Sequence, residues 1–228
     1  MSPGLSVPTA FAALSARTVQ VWRLPLATMS AAVESLDAAE RERAARFRFP
    51  PDRRNYIITR GALRRILAAQ LMIEPRAVQL DRSVHGKPCL HLAQAATHLR
   101  FNVAHAADWA LVAVASGREV GVDLEPVRPM PDAPELARRC LSPNERRRLD
   151  HAAPGDVSRE FLQLWTRKEA VLKASGLGIS GGLTETDTTE SPLVGGRWQV
   201  LDLPIIEGYV AAEGDDWRVQ IHDLTDGD

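Results

Sequence analysis

The chain has 228 residues, enough for one large domain or two small ones that each bury a core. Its 28 basic and 29 acidic residues give a formal net charge of −1, which disfavours nucleic-acid binding as the main activity, since that usually leaves a basic balance. No apolar run reaches the roughly 18 residues that can span a bilayer. Residues 1–16 lack the basic start and apolar core of a signal peptide, and the two cysteines have no metal-binding spacing. We therefore expect a cytoplasmic protein with no nucleic-acid or membrane partner.

The first part of the chain predicts one strand and two helices. Residues 18–24 alternate well enough for a strand. A helical pattern begins near residues 35–37, and two prolines at positions 50 and 51 interrupt it. Asp52 then predicts the N-cap of a second helix that runs to about Leu71. Arginines surround the apolar stripe of this second helix, and their ordinary interpretation is a solvated face.

Strands dominate the next stretch. His85-Gly86-Lys87-Pro88 predicts a turn into a short strand, and a lone lysine on a turn is usually solvated. Residues 101–105 form a strand that ends at His105, where a histidine is more often structural than a ligand. An apolar strand follows at residues 109–115. The hairpin turn at residues 116–119 marks the predicted boundary between an N-terminal half, 1–116, and a C-terminal half, 117–228.

An acidic strand comes next, at Val120-Gly121-Val122-Asp123-Leu124-Glu125. Side chains alternate across a strand, so Asp123 and Glu125 share one face while Val122 and Leu124 face a core. Two carboxylates side by side repel each other unless a cation lies between them, and hard oxygen ligands suit Mg²⁺. The alternative is a solvent-facing pair at a sheet edge, because Asp-x-Glu alone is a weak signal.

Two short helices and one long helix follow. The first short helix is predicted from Glu135 to Cys140, and Ser142-Pro-Asn-Glu145 is a capping box that opens the second. They carry the most basic local patch: Arg138, Arg139, Arg146, Arg147 and Arg148.

The long helix carries the row Trp165, Glu169 and Lys173 at i, i+4 and i+8, and Gly176 is its predicted stop. Glu169 and Lys173 alone predict a surface ion pair worth about 0.3–0.5 kcal/mol. Lys168 lies about 100° around the helix from Glu169, so its replacement by arginine is expected to matter less than that of Lys173. A polar loop at 176–190 and strands at 198–203, 208–212 and 217–221 complete the chain.

Lysine is rare in this chain. Only Lys87, Lys168 and Lys173 are lysines, and each falls inside a candidate motif. Arginine carries the remaining positive charge, so these positions indicate a need for a compact ammonium group.

The two motifs together are specific. Gly121-Val-Asp-Leu-Glu125, followed about forty residues later by Trp165-Thr-Arg-Lys-Glu-Ala-x-x-Lys173, resembles the signature pair of the 4′-phosphopantetheinyl transferases, and the chain length is closer to their surfactin-synthetase type. That family moves the phosphopantetheine arm of coenzyme A onto a serine of an apo carrier protein. The resemblance implies an α+β fold of two similar halves about a pseudo-two-fold axis, with coenzyme A in the cleft between them. We expect a monomer.

The resemblance also implies site residues. Asp123, Glu125 and Glu169 would hold Mg²⁺, with Glu169 as ligand, general base or both. Lys173 would face the coenzyme A phosphates. The other coenzyme A contacts that it implies are Arg43, Arg54, Arg60, Lys87, Ala104 and His105, with His105 also counted as catalytic. The family pattern has serines at positions 104 and 106, where this chain has alanines, so a backbone amide would replace a hydroxyl at Ala104.

Carrier proteins in the resembled system present an acidic helix beside their serine, so the arginine patch is a candidate docking surface, with a merely solvated basic helix as an equal alternative. Two other functions stay open. The chain could be a non-catalytic relative that binds carrier protein or coenzyme A, or a Mg²⁺-dependent pyrophosphate hydrolase that uses the same acids.

Overall fold

The computed structural model describes residues 14–95, 97–178, 182–189, 193–204 and 207–226, with Glu207 described by its backbone alone. Most of the N-terminal segment in which we expected no signal peptide lies outside the described residues, as do parts of the predicted loop at 176–190. None of the described helices combines the length and the apolar composition that crossing a membrane requires.

The described residues form nine strands and six α-helices. The strands are β1 (Thr18–Pro25), β2 (Leu80–Arg82), β3 (Pro88–Leu90), β4 (Leu99–Ala106), β5 (Trp109–Ser116), β6 (Val120–Glu125), β7 (Trp198–Asp202), β8 (Glu207–Glu213) and β9 (Arg218–Asp223). The helices are α1 (Ala38–Ala45), α2 (Pro50–Leu71), α3 (Leu92–Ala95), α4 (Ala133–Cys140), α5 (Pro143–Asp150) and α6 (Val157–Ser175). Short 3-10 turns lie at Val33–Ser35 and Pro75–Ala77.

Helix ends follow the predicted signals except at the start of α2. Ser142 caps α5 in a complete capping box with Glu145, and Gly176 ends α6 in the left-handed region at φ 72°. Asp52 was expected to cap α2, but Phe49 occupies the N-cap and Asp52 lies inside the first turn. The prediction was wrong because a first-turn proline replaces an N–H that has no intrahelical partner, so the two prolines start the helix.

Three sheets organise these strands. The largest has the order β4-β5-β1-β9, in which β1 pairs antiparallel with β5 and parallel with β9. A three-stranded antiparallel sheet has the order β6-β8-β7, and β2 pairs with β3. Because β9 lies beside β1, the first and last strands of the chain share one sheet. The division at residues 116 and 117 stays a prediction.

The four-stranded sheet is covered on both faces. On one face, Ile66 and Leu67 of α2 pack with Trp22 and Val112 of the sheet in a single buried cluster. On the other face, the sheet packs against β6 and β8 through a second cluster that includes Val21, Ala113, Val122, Leu124 and Val210. Burial of both faces explains why β5 reads as a continuous apolar run.

Helix α6 covers the outer face of the three-stranded sheet. Ala170, Val171 and Ala174 of α6 pack with Tyr209 and Ala211 of β8. The order of layers is therefore α2, four-stranded sheet, three-stranded sheet, α6. The predicted mixed α+β class is confirmed. Strand β6 lies between the large sheet and α6, with its alternate residues facing each.

Candidate active site

Gly121 sets how closely β6 approaches α6. A Cβ at this position would lie 2.1 Å from the Ala170 carbonyl oxygen and 2.3 Å from the Ala174 nitrogen, both backbone atoms. Real Cβ atoms essentially never come within 3.0 Å of another atom in this way. Only glycine fits, and its absent side chain lets the strand lie directly on the helix. The chain therefore brings the acidic strand and the long helix to backbone contact at this point.

Asp123 and Lys173 meet across this contact. The Lys173 Nζ donates to the Asp123 Oδ1 at 2.6 Å, and the two side chains are 30% and 10% exposed. Burial raises the pKa of Asp123 above its ordinary value, the Lys173 ammonium opposes that shift, and the charge of Glu125 adds to it. The sequence predicted that Lys173 pairs with Glu169 or faces a ligand. The ammonium contacts the strand acid, and its contact with a phosphorylated ligand stays a prediction.

Glu169 is the least satisfied acid of the site. Its Oε1 is buried and has no hydrogen-bond partner among the described residues. Burial raises the pKa of Glu169, the Lys173 ammonium opposes the shift, and the charges of Asp123 and Glu125 raise the pKa further. A buried acceptor without a partner is costly unless another group supplies the missing contact.

Glu125 completes the acidic group. Its Oε2 accepts from the Arg128 guanidinium at 2.6 Å, and its side chain is 25% exposed. In the described part of the chain no three acidic, histidine or cysteine side chains converge closely enough to enclose one ion. Asp123 and Glu125 each bond a cation, Lys173 and Arg128 respectively. The donor chemistry nevertheless fits a hard divalent cation, because three mutually repelling carboxylates include a buried oxygen without a partner.

A cavity of about 530 Å³ lies beside β4 and α2. Arg43, Arg60 and His105 line it together with Tyr56 and Pro88. The guanidinium carbons of Arg43 and Arg60 lie 5.7 Å and 5.8 Å from the centre of the Tyr56 ring, so the ring holds both cations near the cavity. Three of the predicted coenzyme A contacts therefore share one cavity. Asp52 also lines it and Glu40 lies 3.7 Å from Arg60, but the two guanidinium groups suit a phosphorylated ligand.

The chain matches two family models. One, described as "4'-phosphopantetheinyl transferase, N-terminal", matches residues 20–117, and the other, described as "4'-phosphopantetheinyl transferase superfamily", matches residues 119–219. The 4′-phosphopantetheinyl transferase HetI of a Nostoc species is 37% identical over 204 residues, which cover 85% of this chain and 86% of HetI. The chain belongs to the 4′-phosphopantetheinyl transferase family.

Two further relatives from the same family are less similar to this chain than HetI. A phosphopantetheinyl transferase of a Thraustochytrium species is 32% identical over 189 residues, covering 75% of this chain and 65% of the relative. The 4′-phosphopantetheinyl transferase Sfp of Bacillus subtilis is 26% identical over 141 residues, covering 62% and 60%. The predicted family and enzyme class are confirmed and favoured over the binding-protein and hydrolase alternatives. The surfactin-synthetase type stays a prediction, because identity to HetI exceeds identity to Sfp.

The other predicted coenzyme A contacts of the transferase lie outside this cavity: Arg54, Lys87 and Ala104. The Arg54 guanidinium donates to the carbonyl oxygens of residues 26, 27 and 29, at 2.6, 3.2 and 2.7 Å. The Lys87 ammonium contacts β6 and α6, and Ala104 is buried in the core between the two larger sheets. None of the three lines the cavity of Arg43 and Arg60. Their predicted contacts with coenzyme A stay predictions.

Asn102 is a residue that our sequence analysis missed. Its buried Oδ1 accepts from the Val122 backbone N–H at 3.0 Å and so joins β4 to β6. Strand β4 carries His105 and β6 carries Asp123, so this bond fixes the cavity relative to the acids. The available signal was a polar amide inside an otherwise apolar strand, because such a group needs a partner when buried.

Lys168 corrects a second expectation. Its replacement by arginine was expected to matter less than that of Lys173, but its side chain is fully buried and its ammonium lies 2.8 Å from the Glu145 Oε2, whose side chain is also fully buried. The ammonium also donates to the carbonyl oxygens of Leu183, at 2.6 Å, and Thr186. Angular position around a helix does not determine exposure when another segment covers that face. Lys168 is therefore a buried structural residue of the transferase, and the relative effect of its replacement by arginine stays a prediction.

The arginine patch divides into paired and unpaired members. Arg139 donates to Glu135 at 2.6 Å, and Arg148 pairs with Glu160. Arg138, Arg146 and Arg147 line a groove of about 440 Å³ between α4 and α5. Within the described ranges, neither Arg138 nor Arg146 has an acidic partner. The lining of the groove therefore has three arginines and one acid, Asp150, so its charge is positive.

Proposed function

We propose that this transferase moves the 4′-phosphopantetheine arm of coenzyme A onto a serine of an apo acyl or peptidyl carrier protein and releases 3′,5′-ADP. The observation that supports it most is the contact of Asp123 with Lys173 at 2.6 Å. This contact unites the two sequence motifs, fifty residues apart, into one cluster with Glu169. Acids and an ammonium held together on rigid elements are what phosphoryl transfer requires, since its catalysis is mostly positioning and charge stabilisation.

The coenzyme A would lie between the cavity and the acids. Arg43 and Arg60 would bind the 3′-phosphate and adenosine end, where a guanidinium fork suits a phosphate, and His105 would contact the phosphates from the same cavity. The pyrophosphate would then reach Lys173. We assign these groups to two similar halves, residues 1–116 and 117–228, about a pseudo-two-fold axis. We also assign the chain to the surfactin-synthetase type, on its length and motif spacing.

Asp123, Glu125 and Glu169 would hold Mg²⁺, displacing the Lys173 and Arg128 contacts of Asp123 and Glu125. The support is the buried Oε1 of Glu169 without a partner and the mutual repulsion of the three carboxylates. When bound, the ion supplies positive charge to the oxygens of the pyrophosphate.

The residues of the chain would carry the remaining chemistry. The serine Oγ attacks the β-phosphorus of coenzyme A, the bond from that phosphorus to the bridging oxygen breaks, and 3′,5′-ADP leaves with the bond's electrons. Glu169 would take the serine proton, directly or through water, and its raised pKa makes it a better acceptor than an ordinary carboxylate. The Lys173 ammonium has one partner among the described residues, so two N–H donors are free for phosphate oxygens.

The carrier would dock on the arginine patch. Arg138, Arg146 and Arg147 surround a groove whose apolar lining includes Pro134 and Leu149, a combination that suits an acidic helix with an apolar edge. We also propose that the active enzyme is a monomer.

Weighing the carrier after incubation tests this function. The protein is mixed with coenzyme A, Mg²⁺ and an apo carrier, and the mass of the carrier is measured. A gain of one phosphopantetheine supports transfer. Free phosphopantetheine with an unchanged carrier would indicate hydrolysis, and neither product would indicate a binding protein. A carrier that lacks the acceptor serine and an Asp123→Asn variant of the enzyme are the controls.

A further inference from the structure

The ammonium of Lys87 joins three segments of the chain. Its Nζ donates to the Glu119 Oε2 at 2.9 Å, to the Val120 carbonyl oxygen at 3.1 Å and to the Ala174 carbonyl oxygen at 3.0 Å. The Lys87 side chain is 14% exposed. An ammonium has three N–H donors and no acceptor, so these three bonds use its full capacity. No donor remains for a phosphate oxygen.

The Ala174 carbonyl provides an acceptor for this ammonium at the end of α6. Ala174 lies in the last turn of α6, where carbonyl groups lack intrahelical partners and carry the negative end of the helix dipole. The Lys87 stem passes Gly176, since a Cβ on that glycine would lie 3.6 Å from the Lys87 Cδ. Lys87 therefore caps α6 from another part of the chain.

The other two partners tie this cap to the acidic strand. Val120 is the first residue of β6, three positions before Asp123, and Ala174 directly follows Lys173. Gly121 contacts the backbone of Ala174 at the same level. The Lys87 bonds therefore hold β6 and α6 in register at the point from which Asp123 and Lys173 extend.

The buried Lys168 has partners of the same chemical kinds as Lys87. Each of these two lysines bonds one glutamate and two backbone carbonyls, Glu145 with the carbonyls of Leu183 and Thr186 in the case of Lys168. Lys173 differs, because a single carboxylate is its only described partner. The bonding of Lys87 therefore resembles that of a structural lysine and not that of Lys173.

We infer that Lys87 is a positioning residue, which fixes β6 against α6 through Glu119 and the carbonyls of Val120 and Ala174, and does not bind a coenzyme A phosphate. The inference rests on the proposed transfer activity. It replaces the phosphate contact that the family resemblance implied for Lys87.

Two variants separate the two roles. Lys87→Met keeps the aliphatic stem and removes the ammonium, and with it all three hydrogen bonds. Glu119→Gln weakens one of those bonds at a residue that no ligand is proposed to contact. We expect kcat to fall at least tenfold in Lys87→Met and about threefold in Glu119→Gln, because small misplacements of catalytic groups are costly. The Kd for coenzyme A, measured by calorimetry, should stay within twofold in both. The Mg²⁺ concentration for half-maximal rate should rise in both, a change that loss of overall stability alone would not produce.

Arg82→Gln is the matched control. Arg82 lies in the same hairpin, is exposed, and donates to the Gly86 carbonyl oxygen at 2.9 Å without touching β6 or α6. The Arg82→Gln substitution removes one positive charge near Lys87 and should leave kcat, the coenzyme A Kd and the Mg²⁺ dependence unchanged.

The outcomes are distinct. A tenfold or larger rise of the coenzyme A Kd in Lys87→Met, with Glu119→Gln unchanged, would overturn the inference. If Lys87→Met does not fold, Glu119→Gln decides alone: a lower kcat at constant Kd supports the clamp, and wild-type kinetics refute it. Absence of transfer by the wild type would refute the proposed function instead, and the Kd of Lys87→Met would still decide the role of Lys87.

Discussion

Adding one methyl group at Gly121 tests whether backbone contact between β6 and α6 places the acids. In the Gly121→Ala variant, the new Cβ would meet the Ala170 carbonyl oxygen at 2.1 Å, whereas an ordinary contact begins at 3.4 Å. The strand must therefore retreat by about 1.3 Å, because the obstacle is backbone and not a flexible side chain. A retreat of that size lengthens the Asp123 to Lys173 bond from 2.6 Å beyond hydrogen-bonding distance.

We expect kcat to fall about a hundredfold, since a misplacement of about 1 Å can cost that much. Overpacking should also lower the free energy of unfolding by about 1–3 kcal/mol. The rate of carrier modification is measured by mass spectrometry, and the Tm by calorimetry. Gly155→Ala is the control, because a Cβ at Gly155 meets nothing within 4 Å and should change neither quantity. Activity of Gly121→Ala within threefold of the wild type would refute the reasoning.

Four further predictions concern individual charges. Lys173→Arg should lower kcat at least tenfold, or about 1.4 kcal/mol, because a planar guanidinium fits poorly where a compact ammonium is proposed to face the coenzyme A pyrophosphate; rates within twofold of the wild type would contradict this. Glu125→Ala should raise the Mg²⁺ concentration for half-maximal rate about tenfold at an unchanged coenzyme A Kd, as a metal titration of steady-state rates would show. Glu169→Gln should abolish turnover yet raise the Tm of the metal-free protein. Because burial raises the pKa of Glu169, its ionised form costs stability above the unfolded-state pKa, and the cost disappears as the pH falls through the raised value; a Tm difference from the wild type that does not shrink on acidification would count against this. Arg138→Glu should raise the carrier KM about tenfold and weaken the salt dependence of that KM. Arg139→Glu should raise the carrier KM by a smaller factor, because Arg139 is already paired with Glu135.

Local structure was largely predictable because its causes are local. Alternating side chains located β1 and β6, the capping box located the start of α5, and Gly176 located the end of α6. The same-face placement of Asp123 and Glu125 is confirmed, since Val122 and Leu124 pack in the core between the two sheets. Each of these outcomes depends on a few neighbouring residues.

Partners distant in sequence were not predictable in the same way. Periodicity identifies an apolar face but does not identify the element that covers it, so the parallel pairing of β9 with β1 had no local signal. The arginines of α2 show the same limit. Arg64 was expected on a solvated face but is fully buried, bonded to Asp37 and Glu40, while Arg54 bonds three carbonyls of one loop. Identical side chains on one helix differ because other segments pack against them.

The three lysines show how far composition can indicate chemistry. Their rarity predicted positions that need an ammonium, and the described contacts of all three include a carboxylate. At Lys87 and Lys168 the three donors of the ammonium reach one carboxylate and two carbonyls, so every donor is used. At Lys173 the requirement is different, because two donors stay free beside an acidic cluster. Composition alone could not separate these cases, since the distinction is the number of donors already used. On that number we propose phosphate binding for Lys173 and a structural role for Lys87 and Lys168, which hold the elements that carry the site.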